Sequence, residues 1–560
     1  MKRLLFLLLF VACGSHPPAA AVSAPRPALP HIDIDPALAG TGKTFLVVSE
    51  APLATQVGRD VLAAGGNAAD AAVATAFALA VVHPSAGNLA GGGLAIVRTD
   101  HEARALDFRE TAPAAATPDM FVKAGPRASL AGDLASGVPG SVAGLWELHA
   151  QYGKTPWPQL IAPAIAFAKD GFAVDPILAA ALKMRLARAP ITAGVWSHEH
   201  AAGEIVKQPE LAATLQRIAD QGPAGFYSGD TAAAIVDEMH KGGGLITAAD
   251  LGGYHAVWRE PLRFDYRGRH LITMPPPSSG GIVIAMTANM LRKLDVAQLG
   301  WHSAEHVHEL VEVWRRAFAA RNEVLGDPAY VKDMPVAKLM SPAYADELAA
   351  TIGPRATPSK DVPALIESLH TTNLCVVDRT GMAIALTTTL NTSFGNGVVV
   401  AGFLMNNEMD DFATRPGQPN VYGLVQGAAN QVEAGKRMLS SMSPTVIEDD
   451  KGVAMVVGGQ GGPRIITEVW QTISNVIDFG MPVAEAIAAP RVHHQHLPDE
   501  VIVEDKAITP DVAAALRTMG YTLVMGKPER IYGAANAIVR TPSGWAGAAD
   551  PRNGGATMGD

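Results

Sequence analysis

Hydroxyl side chains become nucleophiles only where the chain supplies a base, and one stretch of this sequence offers both. Residues 370–391 read H-T-T-N-L-C-V-V-D-R-T-G-M-A-I-A-L-T-T-T-L-N. Asn373 to Asp378 is an apolar, β-branched run, Asp378-Arg379-Thr380-Gly381 is a turn, and Met382 to Leu390 is a second apolar run rich in threonine, so the pattern predicts a β-hairpin. The plain reading of a threonine pair is a strand in a buried sheet, since threonine favours strands. Two features point further. Thr371-Thr372 open the first strand directly after a long polar connector (Arg355 to His370), where a chain cut is tolerated. The second strand returns Thr389 and Asn391 toward the same end. A cut before Thr371 would place a hydroxyl and a free α-amine on one residue, the amine titrating near about 7.7–8.0. That combination predicts an amidohydrolase with an N-terminal threonine, matured by cutting itself.

The elements that must position these residues are legible in outline. A strand at Phe45–Ser49 precedes two helices, Ala51–Ala64 and Ala68–Val82, divided by Gly65-Gly66-Asn67. The run His83 to Gly93 then turns into a strand at Leu94–Arg98. It carries neither GxxxxGK[ST] nor GxGxxG between strand and helix, so close backbone packing against helices is expected rather than phosphate binding. Another strand, Arg104 to Glu110, carries Arg109 at its end; a lone arginine there reads by itself as a surface ion pair. Helices are predicted at Val142–Tyr152, Trp157–Asp170, Glu210–Gln221 and Thr231–Lys241, and another from Ile282. His302, His306 and His308 lack HExxH and any supporting cysteine or carboxylate spacing, which favours surface or core histidines over a metal site. A long loop, Ala413 to Lys436, has the character of a lid. Further on, Val456-Val-Gly-Gly-Gln-Gly-Gly462 opens a helix at Ile465–Phe479. Glycines at a strand-to-helix turn leave backbone N–H groups free to hold an oxyanion. A helix at Thr509–Met519 and strands at Ala534–Arg540 and Gly544–Ala549 complete the chain, suggesting layered sheets with helices outside.

The 560 residues carry a net charge of −10, which argues against nucleic-acid partners and against a polybasic membrane surface. At the N-terminus Lys2-Arg3 precede the apolar run Leu4–Ala12, too short to span a bilayer but suited to an export signal. Phe10-Val11-Ala12-Cys13 followed by Gly14 reads as a lipobox with Cys13 as the lipidated residue; cleavage after an alanine within Ala19–Ala24 is the other reading. Residues 1–24 are thus signal and the start of a tether, and 25–44 a Pro/Ala-rich linker. With only two cysteines, Cys375 has no intrachain partner once Cys13 is lipidated or removed. Its place in an apolar strand predicts a buried thiol.

Eight collinear segments now carry a resemblance: H-P-S-A-G-N-L-A-G-G-G (83–93), D-F-R-E (107–110), M-P-P-P-S-S-G-G (274–281), L-N-T-S-F-G (390–395), N-N-E-M-D-D-F (406–412), P-N-V-Y-G-L-V (419–425), L-S-S-M-S-P-T (439–445) and A-P-R-V-H-H-Q (489–495). From about Phe45 onward the chain resembles the γ-glutamyltransferase (γ-glutamyl transpeptidase) family of N-terminal nucleophile hydrolases. The resemblance implies an α/β fold, a four-layer αββα sandwich. It implies a precursor cut between His370 and Thr371 into a large subunit (45–370) and a small catalytic one (371–560), which stay together as a heterodimer. Thr371 is the implied nucleophile, Thr389 the hydroxyl that primes it, and Gly461 and Gly462 the oxyanion hole. Arg109, Ser440 and Ser441 would bind the substrate α-carboxylate, Asn391, Glu408 and Asp411 its α-ammonium, and Tyr422 would belong to the lid. The implied substrates are glutathione and other γ-glutamyl compounds, with water, amino acids or dipeptides as acceptors and no metal or organic cofactor. Three positions depart from the family pattern. Asn373 stands where histidine is usual, Met438 replaces a proline, and Gln460 sits in the glycine-rich turn. A glutaryl or cephalosporin acylase of the same fold, and a non-catalytic exported binding lipoprotein, are the alternatives.

Overall fold

The computed structural model describes residues 27–125, 127–359, 371–415, 417–421, 423–526 and 533–560. Cys13, His370 and Tyr422 lie outside these residues, and so do the lipidation, cleavage-side and lid expectations attached to them.

The hairpin forms where the pattern places it. Thr371–Val377 pairs antiparallel with Ala383–Thr389, and Thr371 lies directly opposite Thr389. Both strands are buried along their whole length. This explains why they read as continuous apolar runs rather than as an alternation. The alternation exists in space instead. Leu374, Val376, Ile384 and Leu386 face one helical layer, while Cys375, Val377, Ala383 and Ala385 face inward.

The hairpin occupies the middle of a seven-stranded sheet. Leu46–Ser49 and then Ala556–Gly559 lie on one side; Gly92–Arg98, Ala103–Phe108 and Val257–Arg259 lie on the other. Strands from before and after position 371 therefore alternate within one hydrogen-bonded sheet. A second seven-stranded sheet packs on its inner face, in the order Ala39–Gly42, Gly544–Ala548, Ala534–Thr541, Gly452–Gln460, Thr445–Asp449, Arg269–Thr273 and Leu262–Tyr266. Its core residues, Val446, Val456 and Ala537 among them, meet Cys375 and Val377 of the first sheet.

Helices close both outer faces. Ala68–Val82, buried at every residue and begun by an Asn67–Asp70 capping box, covers the first sheet. Gly280–Leu291, Ala304–Val324 and Arg464–Ile477 cover the second. The result is a four-layer αββα sandwich, as the resemblance implied.

Several strands escaped the sequence reading, and the two with the least local signal are Ala39–Gly42 and Ala556–Gly559. Their sequences, A-G-T-G and A-T-M-G, have no β-branched run, and pairing with partners distant along the chain makes them strands. The turn glycines of 83–93 do serve close packing: Gly87 lies against Leu79 of the helix Ala68–Val82, as expected, and the later ones lie against the hairpin and the end of the neighbouring strand. A Cβ at Gly91 would collide with the Thr389 carbonyl, at Gly92 with the Glu110 carboxylate, and at Gly93 with the Phe108 ring.

Cys375 is fully buried, and desolvation pushes its thiol well above the ordinary range. The folded protein should therefore leave Cys375 unmodified by iodoacetamide at mildly alkaline pH, and the unfolded protein should take up the label there. Peptide mass analysis reads both states, and labelling of the native thiol would contradict the packing.

Candidate active site

One cleft, about 340 Å3 with its open mouth, gathers residues from eight segments of the chain. It is lined by Thr371, Thr389 and Asn391, by Arg109, Glu408 and Asp411, by Ser440 and Ser441, and by Gly462. Every residue expected to bind or activate substrate is here except Gly461, which adjoins Gly462.

At the floor, the Thr371 hydroxyl donates to the Thr389 hydroxyl at 3.5 Å, the long limit of such a bond. Thr389 Oγ1 also accepts the Asn391 backbone N–H at 2.8 Å. Asn391 takes a positive φ of 75°, a conformation asparagine tolerates better than most residues, and its amide donates to the Asn407 carbonyl at 2.8 Å. Asn88 anchors the far strand, donating to the Thr389 carbonyl at 3.0 Å while accepting Gly91 N–H at 2.9 Å. These bonds fix the second threonine as a hydrogen-bond acceptor aimed at the first.

Two of the three departures from the family pattern, Asn373 and Gln460, belong to one network beneath Thr371, joined through Glu50. Asn373 donates its side-chain amide to the Leu386 carbonyl at 3.0 Å and its backbone N–H to the buried Glu50 carboxylate at 3.3 Å. With its amide nitrogen toward the strand, Gln460 donates to the Thr371 carbonyl and to Glu50 at 3.1 Å, and accepts from Asn553 at 2.7 Å. Burial raises the Glu50 pKa well above the usual carboxylate range. Gln460 thus ties the Thr371 backbone to the glycine turn. In that turn Gly461 has φ 134° and Gly462 φ 57°, and a Cβ on Gly461 would lie 2.6 Å from the Gly533 Cα. Only glycine suits both demands.

The opposite wall is charged. Arg109 follows the strand Ala103–Phe108 and is 1 % exposed, so the surface ion pair that its position suggested is in fact a buried one. One terminal nitrogen of its guanidinium bonds Glu408, the other bonds Asp411, and Nε donates to the Met438 carbonyl at 3.3 Å. Glu110 sits 3.5 Å from the same guanidinium. Burial pulls the Arg109 pKa down, but the three carboxylates outweigh it and hold it above its ordinary value. Burial likewise raises Glu408 and Asp411 against the pull of Arg109. Glu110, with no donor on either oxygen, is pushed up to about 7. Three buried carboxylates around one guanidinium titrate as a coupled set, and their mutual repulsion adds to burial in favouring protonation.

Ser440 and Ser441 are positioned by the proline-rich turn. Ser440 N–H donates to the Pro277 carbonyl at 2.7 Å, and Ser279 returns two bonds to the Ser440 carbonyl, at 2.8 Å from its N–H and 2.7 Å from its hydroxyl. The loop 413–436 reaches the cleft through Leu424 and Gln426. Sequence reasoning assigned no role to Glu110, Gln426 or Arg321. Glu110 was visible inside D-F-R-E; nothing local marked the other two. The histidines lie elsewhere. His302 and His306 are buried, joined by a 3.0 Å bond from His302 N–H to His306 Nδ1, and desolvation lowers them to about 4 and about 3, so they are neutral core residues.

A nucleophile paired with a hydroxyl, an N–H-bearing glycine turn and two oppositely charged sets can hold a zwitterionic acyl group and cleave its amide. The chain as a whole is similar to known proteins. A family model described as Gamma-glutamyltranspeptidase matches residues 54–560. The chain is 45% identical over 536 residues to the glutathione hydrolase proenzyme of Escherichia coli (strain K12), covering 91% of each chain. It is 45% identical over 481 residues to the glutathione hydrolase proenzyme of Pseudomonas aeruginosa, covering 84% of this chain and 86% of that one. Among solved structures it is similar to a cephalosporin acylase from Bacillus halodurans, with a TM-score of 0.83, 28% identity, and coverage of 97% of this chain and 99% of that one. The chain belongs to the gamma-glutamyltranspeptidase family of enzymes.

Proposed function

We propose that this chain is a glutathione hydrolase and γ-glutamyltransferase that cuts itself between His370 and Thr371. The supporting observation is the meeting of Thr371 with both charged sets in one cleft. In maturation the Thr371 hydroxyl attacks the His370 carbonyl, the acyl group moves from nitrogen to oxygen, and water hydrolyses the ester. The large and small subunits stay together because their strands alternate within one sheet. The freed α-amine of Thr371 is then the base for the same hydroxyl.

In turnover the amine takes the hydroxyl proton as Oγ1 attacks the γ-carbonyl. The N–H groups of Gly461 and Gly462 hold the oxyanion, and the proton passes to the leaving amine, Cys-Gly when glutathione is the donor. The γ-glutamyl ester on Thr371 is released to water, or to an amino acid or dipeptide acceptor. Arg109, Ser440 and Ser441 bind the α-carboxylate; Asn391, Glu408 and Asp411 bind the α-ammonium. Tyr422 belongs to a lid over this cleft, and no step requires a metal or organic cofactor. An acylase for glutaryl side chains would bind a carboxylate without an ammonium and would leave Glu408 and Asp411 without a function.

The protein is exported, with Cys13 as its lipid anchor. Among the described residues no helix is long and apolar enough to cross a membrane.

Intact-mass analysis of the purified protein should show two fragments, the smaller beginning at Thr371, with a lipid mass on Cys13 in the membrane-bound form. A γ-glutamyl anilide should be turned over faster than the glutaryl anilide. A single uncut chain without turnover would reject the reading; preference for the glutaryl compound would move it to the acylases.

A further inference from the structure

Among the described residues, Arg321 is the positive charge in the cleft that has no carboxylate within ion-pair distance. It projects from the helix Ala304–Val324, is 1 % exposed, and lines the cleft beside Ser441. Its partners are all neutral. Nε donates to Ser279 Oγ at 3.1 Å, Nη1 to Asn322 Oδ1 and Gln426 Oε1 at 3.0 Å each, and Nη2 to Ser441 Oγ at 3.4 Å. Asp411 acts on it only from beyond ion-pair contact. A buried cation without a carboxylate is costly, and its pKa is accordingly drawn down by desolvation to about 10, which leaves it charged at neutral pH.

Arg109 stands in the opposite condition. Its two terminal nitrogens are each occupied by a carboxylate, so its charge is already answered by Glu408 and Asp411. An entering zwitterion brings one carboxylate and one ammonium. The ammonium finds two carboxylates that Arg109 currently holds. For the carboxylate, the uncompensated charge is on Arg321, whose Nη2 already reaches the serine expected to donate to it. We propose that Arg321 is a specificity-determining residue of the donor site. Together with Arg109 it forms a pair of guanidiniums that brackets the α-carboxylate of the γ-glutamyl group, with Ser441 oriented between. This inference rests on the donor reading given above and extends it to a residue outside the recognised motifs.

L-Glutamate and 4-aminobutyrate differ only in the α-carboxylate, so their competitive inhibition of anilide turnover isolates the interaction. Arg321→Met should weaken inhibition by glutamate about 30-fold and raise the KM of the γ-glutamyl anilide by a similar factor, leaving kcat within about threefold. Inhibition by 4-aminobutyrate should stay within about threefold of wild type. Arg321→Lys keeps the buried charge without the fork and should fall between. It carries the same comparison if the methionine variant does not mature. Equal losses for both inhibitors, or a loss confined to kcat, would overturn the proposal, as would failure of both variants to mature, which would assign Arg321 to folding. If the wild type itself turns over no γ-glutamyl anilide, the donor reading falls instead.

Discussion

Thr371→Ala should remain one uncut chain and should lose amide turnover by at least roughly 10⁴-fold, because a single atom, Oγ1, is assigned both reactions. Nothing else in the cleft can replace it. Thr389 Oγ1 sits on the neighbouring strand as an acceptor, already engaged by Asn391 N–H, and has no α-amine of its own. Thr371→Ser separates the contributions: it keeps hydroxyl and amine and should cut and turn over within about 100-fold of wild type, losing only the methyl group that restrains χ1. Denaturing gels and anilide kinetics on the same preparations measure both. If the alanine variant still separates into two fragments, cleavage has another agent. If it is cut and still active, the nucleophile is misassigned.

Arg109→Met should lower kcat/KM for a γ-glutamyl anilide by about 10³-fold and destabilise the fold by roughly 3–5 kcal/mol, the usual cost of stranding a buried ionic partner. Three carboxylates, Glu110, Glu408 and Asp411, surround this guanidinium, and removing it leaves them facing one another with almost no access to water. They would then take up protons, and a protonated carboxyl holds an ammonium poorly, so both halves of the zwitterion lose their partners. Arg109→Lys retains the charge but cannot fork between Glu408 and Asp411, and its loss should be about 10- to 100-fold. Thermal unfolding and steady-state kinetics test the two parts separately. Activity within tenfold of wild type for Arg109→Met would show that Arg109 serves only the fold.

The sequence by itself determined the local structure around Thr371. The hairpin register that sets Thr371 opposite Thr389 follows from two apolar runs of matched length around Asp378-Arg379-Thr380-Gly381, because a tight turn leaves little freedom in pairing. The helix Ala68–Val82 was legible to its end residues, bounded by an N-cap at Asn67 and by His83-Pro84. The family motifs pointed to Arg109, Asn391, Glu408, Asp411, Ser440 and Ser441 as a group, and all of them line the cleft.

Only the tertiary structure decided how their charges are arranged. Arg109 alone looked like a surface residue, and its burial between Glu408 and Asp411 depends on a contact across about three hundred residues of chain. The glycines at 91–93 called for close packing, but only the folded sheet shows that the partners are Thr389, Glu110 and Phe108. Arg321 carried no signal, because a basic residue on an amphipathic helix has the same local pattern whether it meets water or a substrate cleft. Helix and strand periods are set by neighbours three or two residues away. The electrostatics of this site are set by side chains brought together from distant segments, and no local pattern encodes that sum.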